Sequence, residues 1–242
     1  MITLRHSLFE TNSSSTHALV VPKSKILEHD LYPSSWNYDY CFGKQDYRIL
    51  QSWDQKLAYL YLILYEVRQY SRVVSPNPDL PKFKQKVSDM YSRLCKENNY
   101  EIRDDQTLPE HVFKVIDFLN SRNKSKSEKE KLISEVPYEF EDMIRDNNYC
   151  EVDHSEYFIV FSDDDKRERK PCHEFLEKCL NDSRYLEKFL FSTDSYITIG
   201  GDEYRGYNLK TLGFEYDYEK DEDWKKRVQE YEENYEVYFK GN

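Results

Sequence analysis

Apolar residues alternate along short stretches near both ends of the chain and recur at three- and four-residue spacing between them. A period of two marks a half-buried strand and a period of 3.6 a helix. Residues 2–9 and 17–21 read as strands around a polar turn at 10–16, an N-terminal hairpin stopped by Pro22. Residues 32–47 are aromatic and irregular. A helix follows over about 52–73, with Ser52 as its cap and Leu57, Leu60, Ile63, Leu64 and Val67 as one apolar face. Phe83, Val87, Met90, Tyr91 and Leu94 define a second helix that ends near Asn98-Asn99; Pro109 starts a third, with Val112, Phe113, Ile116 and Leu119 inward. Beyond Pro137 come a buried strand at 157–161, a helix opened by Pro171 with Phe175, Leu176, Cys179, Leu180, Leu186 and Leu190 on its face, and a strand at 196–199. A Gly200-Gly201 turn, one or two strands within 204–218, a helix from Asp221 through Tyr231 and a last strand at 237–239 complete the chain. This order predicts an α+β fold: one mainly antiparallel sheet built from N- and C-terminal strands, with a helical middle, in a single domain over 1–242 with a helical insertion at about 52–136.

Such a fold needs a core, and composition says what fills it. Leu, Ile, Val and Phe number 58 of 242 residues, just above the ~20% at which disorder becomes the better expectation. The 22 Tyr must therefore serve as amphipathic filler. No run approaches the ~18 apolar residues of a membrane span, and Met1-Ile2-Thr3-Leu4-Arg5-His6 lacks an apolar signal core. With only 5 Cys, an odd and sparse set, reduced thiols in a cytoplasm are expected.

The net charge of -11 is unevenly spread: residues 1–100 hold 10 acids and 13 bases, and residues 101–242 hold 36 acids and 22 bases. From Glu215 to Glu236 there are 10 acids and 4 bases, interleaved with Phe214, Tyr216, Tyr218, Trp224, Tyr231 and Tyr235. Tyr216, Tyr218, Glu230, Glu232 and Glu233 are the candidate partner-binding residues of this surface. An acidic, aromatic surface favours a partner with a basic surface and repels phosphate backbones, so direct nucleic-acid binding is disfavoured. A solvated helix between half-exposed strands would carry the same charge without any partner. Two basic patches, Lys82, Lys84 and Lys86, and Arg122, Lys124, Lys126, Lys129 and Lys131, read first as solvated surface.

The most unusual segment is Glu10-Thr11-Asn12-Ser13-Ser14-Ser15-Thr16-His17. Asn12, Ser13, Ser14 and Ser15 offer many donors without bulk, suited to a phosphate or carboxylate, and His17 can act as acid or base. The alternative is a turn whose side chains satisfy their own backbone. Glu10, His17, His154 and Asp202 all fall beside expected strand ends. If the sheet brings those ends together, two His and two carboxylates make an acid–base pair or a divalent-metal site; otherwise they form a buried polar network. Cys150, His154, Cys172, His173 and Cys179 lack the tight pairs of a zinc site, and Cys179 fits an apolar helix face instead. Gly200-Gly201-Asp202-Glu203-Tyr204 matches the short signature of diguanylate cyclases but is also ordinary turn chemistry, and the chain has no Gly-rich phosphate loop.

The stretch Arg5-His6-Ser7-Leu8-Phe9-Glu10-Thr11-Asn12-Ser13-Ser14-Ser15-Thr16-His17-Ala18 resembles the N-terminus of a group of uncharacterised bacteriophage and low-GC bacterial proteins. Three further segments are similar to that group: Lys56-Leu57-Ala58-Tyr59-Leu60; Asp153-His154-Ser155; and Phe189-Leu190-Phe191 with Asp194-Ser195 and the Gly-x-Asp of residues 200–202. In the group another polar residue separates the His of the second of these from its Ser, whereas here Ser155 follows His154 directly. The resemblance implies a phage or mobile-element origin and a shared polar site, and names no reaction and no cofactor. Two functions are expected. One is an intracellular accessory protein that binds a host or defence macromolecule through the acidic Tyr-rich surface and inhibits it by doing so. The other is an enzyme that acts on a phosphate-bearing or nucleotide substrate with the Ser-rich loop and Glu10, His17, His154 and Asp202.

Overall fold

The computed structural model describes residues 15–33, 48–69, 78–102, 108–120, 127, 130–131, 170–201 and 233–240. Five strands and five helices follow in chain order. They are β1 (Ser15–Pro22), β2 (Arg48–Leu50), α1 (Trp53–Gln69), α2 (Leu80–Glu97), α3 (Pro109–Asn120), β3 (Lys170–Pro171), α4 (Cys172–Asn181), α5 (Ser183–Phe191), β4 (Tyr196–Gly201) and β5 (Tyr235–Lys240). The α+β expectation is met.

The strands lie in the order β2-β4-β1-β5-β3. All neighbours are antiparallel except the two-residue β3, which runs parallel to β5. β1 is a central strand, paired with β4 over Ser15–Val20 and with β5 over His17–Pro22. The physical reason is hydrophobic demand. Leu19 sits in a row with Leu50, Ile197 and Tyr238 across four strands, all in the main core cluster. Ala18, Val20, Tyr196 and Val237 cluster on the opposite face and are also buried. A strand apolar on both faces belongs at the centre of a sheet rather than in a two-stranded ribbon.

The helices cover the Leu19 face. α1 is buried along its whole middle, Leu57 to Leu64 without a break, rather than along one stripe. A helix enclosed in this way packs on several sides, and α1 lies against α3 and α5. α2 is the ordinary amphipathic case. Leu80, Phe83, Val87, Met90, Tyr91, Leu94 and Cys95 point inward, and the Asp79 carboxylate accepts the Lys82 N–H at 3.2 Å to cap its start. Its end matches the expectation. Asn99 takes φ 53°, the left-handed conformation Asn tolerates after a helix, while the Asn98 amide donates to the Leu94 carbonyl at 2.9 Å.

Two readings are corrected. The helix opened by Pro171 is two helices, because the Asp182 side chain accepts the N–H groups of Arg184 (2.8 Å) and Tyr185 (3.2 Å) and starts α5 afresh. Ser15, Thr16, Gly200 and Gly201 belong to paired strands rather than to turns, with Ser15 opposite Gly201 and Thr16 opposite Gly200. The strands expected at 2–9, 157–161 and 204–218 and the helix at 221–231 lie outside the described residues. Among the described residues, no helix is long and apolar enough to cross a membrane.

Candidate functional site

The far end of the sheet gathers three distant segments. β1 enters there from the Ser-rich stretch, and the register sets Ser15 opposite Gly201 and His17 between Ile199 and Lys240. Residues 15–17, the end of the Ser-rich stretch, therefore meet residues 199–201 at the backbone level, with Lys240 of β5 beside His17. Of the expected site residues, Ser15 and His17 are strand positions in β1. Glu10, Asn12, Ser13, Ser14, His154 and Asp202 lie outside the described residues, as do Tyr216, Tyr218, Glu230 and Glu232. Glu233 is exposed just before β5.

The basic patch at the start of α2 is engaged by the protein itself. Lys82 pairs with Asp79 at 3.0 Å, Lys84 with Asp117 of α3, and Lys86 donates to the Cys179 and Leu180 carbonyls at 3.3 and 3.0 Å. Lys86 thus satisfies carbonyls at the C-terminal end of α4, where a cation also meets the helix dipole. Cys179 is a buried thiol in the core, outside any disulfide, as its helix position suggested. Among the described residues, no group of three or more His, Cys, Asp or Glu side chains is placed to hold a metal ion.

A second polar constellation was not foreseen. Lys56, in the first turn of α1, is 0% exposed. Its Nζ donates to the Ser192 carbonyl (2.9 Å), the Ser195 carbonyl (3.2 Å) and the Ser195 Oγ (2.8 Å). Three N–H donors thus meet three acceptors, all in the turn between α5 and β4. Ser195 Oγ in turn lies 2.6 Å from the Phe189 carbonyl and 2.9 Å from that of Ser192, so its own proton is also placed. The same turn is stitched to the segment after β1. Asp30 N–H donates to the Phe191 carbonyl at 2.7 Å, and His29 bridges to Ser192.

Burial pushes the Lys56 ammonium down to about 7, opposed by the carboxylates of Asp30, Asp54 and Asp194. Burial likewise pushes the Asp30 carboxyl up, although Lys56 and the N–H groups of Tyr32 and Trp53 oppose that shift. The Trp53 contact makes Asp30 the group at the N-terminus of α1, while the expected cap, Ser52, has no partner for its Oγ among the described residues. One signal in the chain pointed to Lys56: it stands four residues before Leu60, on the apolar stripe of α1.

An aromatic triad closes the surroundings. Trp53, Tyr91 and Phe191 lie with ring centroids 4.8 to 5.9 Å apart, joining α1, α2 and α5. Comparison with family models, with curated proteins and with solved structures finds no match for this chain.

Proposed function

We propose that the protein binds a phosphate-bearing or nucleotide ligand at the sheet end where residues 15–17 pair with residues 199–201. The observation that carries this reading is the strand register, with Ser15 opposite Gly201 and His17 opposite Lys240. A hydroxyl-rich stretch, a glycine that lets a ligand approach the backbone, and a basic residue at one sheet end are the ingredients of an anion site. Were the bound molecule a substrate, Glu10, His17, His154 and Asp202 would be the groups for acid–base chemistry.

Calorimetric and thermal-shift titration of the full chain with inorganic phosphate and with nucleoside mono-, di- and triphosphates tests this reading. A true ligand at a hundredfold excess over its Kd stabilises the fold by about 2.7 kcal/mol, and Lys240→Ala and His17→Ala each weaken it. Absence of heat and of any shift across the series overturns the reading.

The charge distribution favours a second reading. Residues 101–242 carry 36 acids against 22 bases, and Glu233 is exposed. On that reading the chain is a phage or mobile-element accessory protein, and its acidic C-terminal third engages a host or defence protein with a basic surface. Capture of one basic partner from host lysate, weakened in a variant with Glu230, Glu232 and Glu233 changed to Gln, supports it. Capture that survives the charge change counts against that surface.

A further inference from the structure

One row of residues crosses four strands at the Ser15 end of the sheet. Arg48 of β2 is opposite Ile199 of β4, Ile199 is opposite His17 of β1, and His17 is opposite Lys240 of β5. Residues directly opposite on neighbouring strands share a face of the sheet. One step inward on that face lies the row Leu50, Ile197, Leu19 and Tyr238, all in the main core cluster. One step outward lie Ser15 and Gly201. Arg, His and Lys thus hold three of the four positions on the line where the core ends.

Such a row is unfavourable by itself. Like charges opposed across strands destabilise a sheet. Ile199, the fourth member, is 2% exposed, so the row borders the core rather than bulk water. Charge at that margin calls for an opposite charge. Among the described residues of the sheet, the adjoining rows supply none: the inward one is Leu50, Ile197, Leu19 and Tyr238, and the outward one is Ser15 and Gly201. On this face of β5 the next carboxylate, Glu236, stands two rows further in and accepts the Lys178 ammonium at 2.7 Å. Local rules broken in this way are expected at functional positions.

The form of the row selects the anion. Arg48 and Lys240 stand three strand intervals apart, roughly 14 Å at the usual ~4.8 Å spacing. The basic positions are therefore laid along a line rather than gathered around a point. Arginine brings a planar fork of donors suited to phosphate oxygens, and lysine a point charge. Gly201 carries no side chain, which leaves space over the backbone beside the row. A single phosphate can meet one or two members of such a line; a chain of phosphates can meet them all.

We propose that the row Arg48–His17–Lys240 binds a phosphate chain, a diphosphate or longer, laid across the strands, with Arg48 and Lys240 serving its two ends. This deepens, and rests on, the reading of that sheet end as an anion site, and it adds Arg48 as a binding residue. An inorganic oligophosphate and the phosphate chain of a nucleotide share this chemistry.

Calorimetric titration of the full chain in two series tests the row: phosphate, pyrophosphate and tripolyphosphate in one, a nucleoside monophosphate and its triphosphate in the other. Affinity is expected to rise about tenfold or more with chain length in at least one series, and Arg48→Ala should weaken the longest bound member by about tenfold or more. Lys82→Ala, which removes one positive charge at the exposed start of α2, should leave it unchanged. A rise in both series identifies the phosphate chain alone as the ligand; a rise confined to the nucleosides identifies a nucleotide. Binding that does not rise with chain length in either series overturns the row and leaves a simple anion site. So does an affinity that Arg48→Ala spares, or that Lys82→Ala lowers equally. Absence of binding by every probe overturns the anion site itself. If Arg48→Ala does not fold, the chain-length preference of the unaltered protein decides.

Discussion

At the Tyr196 end of β4, a lysine, two serines and their carbonyls are sealed from water, and each Nζ proton has its acceptor. At the Gly201 end, the same strand meets Ser15, and the neighbouring β1–β5 pair sets His17 beside Lys240. Both ends concentrate polar residues drawn from distant parts of the chain, and at the Tyr196 end those residues satisfy one another. Where every donor meets an acceptor inside the core, the arrangement holds the fold together and leaves nothing for a ligand. Polar residues gathered at a sheet end are the ones that can serve a partner.

The largest expected effect falls at the sealed end. Lys56→Ala strands three acceptors and leaves Asp30, Asp54 and Asp194 without their cation, and should lower unfolding free energy by about 3–5 kcal/mol, read from chemical denaturation. A core truncation beside it, Phe189→Ala, should cost a comparable ~3–5 kcal/mol, since Phe189 is fully buried against Phe175. Equal stability of either variant and the parent would remove the contrast between the two ends. At the other end, Lys240→Ala should leave the denaturation midpoint in place while lowering phosphate or nucleotide affinity. A midpoint that drops as far as in Lys56→Ala would make both ends structural. Smaller still, Asp182→Ala should cost about 1 kcal/mol by removing the cap of α5. Ser52→Ala should move the midpoint least, because its Oγ has no partner among the described residues; a loss near ~1 kcal/mol would restore it as a cap.

How far the sequence foretold this arrangement depended on the range of the interaction. α2 and α3 were legible because their signals are local: Pro109 starts α3, and Asn98-Asn99 ends α2 where Asn99 turns left-handed. The break at Asp182 was missed because Leu186 and Leu190 continue the apolar spacing of Phe175 and Cys179 closely enough to read as one face, while the cap acts over two or three residues. The central place of β1 could not be read from alternation, which tells how a strand faces but not which strands flank it. Asp30 standing at the start of α1 in place of Ser52 belongs to the same class, since nothing local links positions 30 and 53. At the candidate site, Ser15 and His17 were identified by type, and their opposition to Gly201 and Lys240 came only with the register.

The pairing of β1 also bears on how the chain is made. Its partners, β4 and β5, begin at Tyr196 and Tyr235. At a synthesis rate of ~5–20 residues per second, β1 waits on the order of ten seconds or more after leaving the ribosome before either partner exists. Through that interval a strand apolar on both faces must be sheltered by chaperones or by passing contacts with the nascent helices. Sheet closure, the step with the longest sequence separation, is then the expected slow phase of folding.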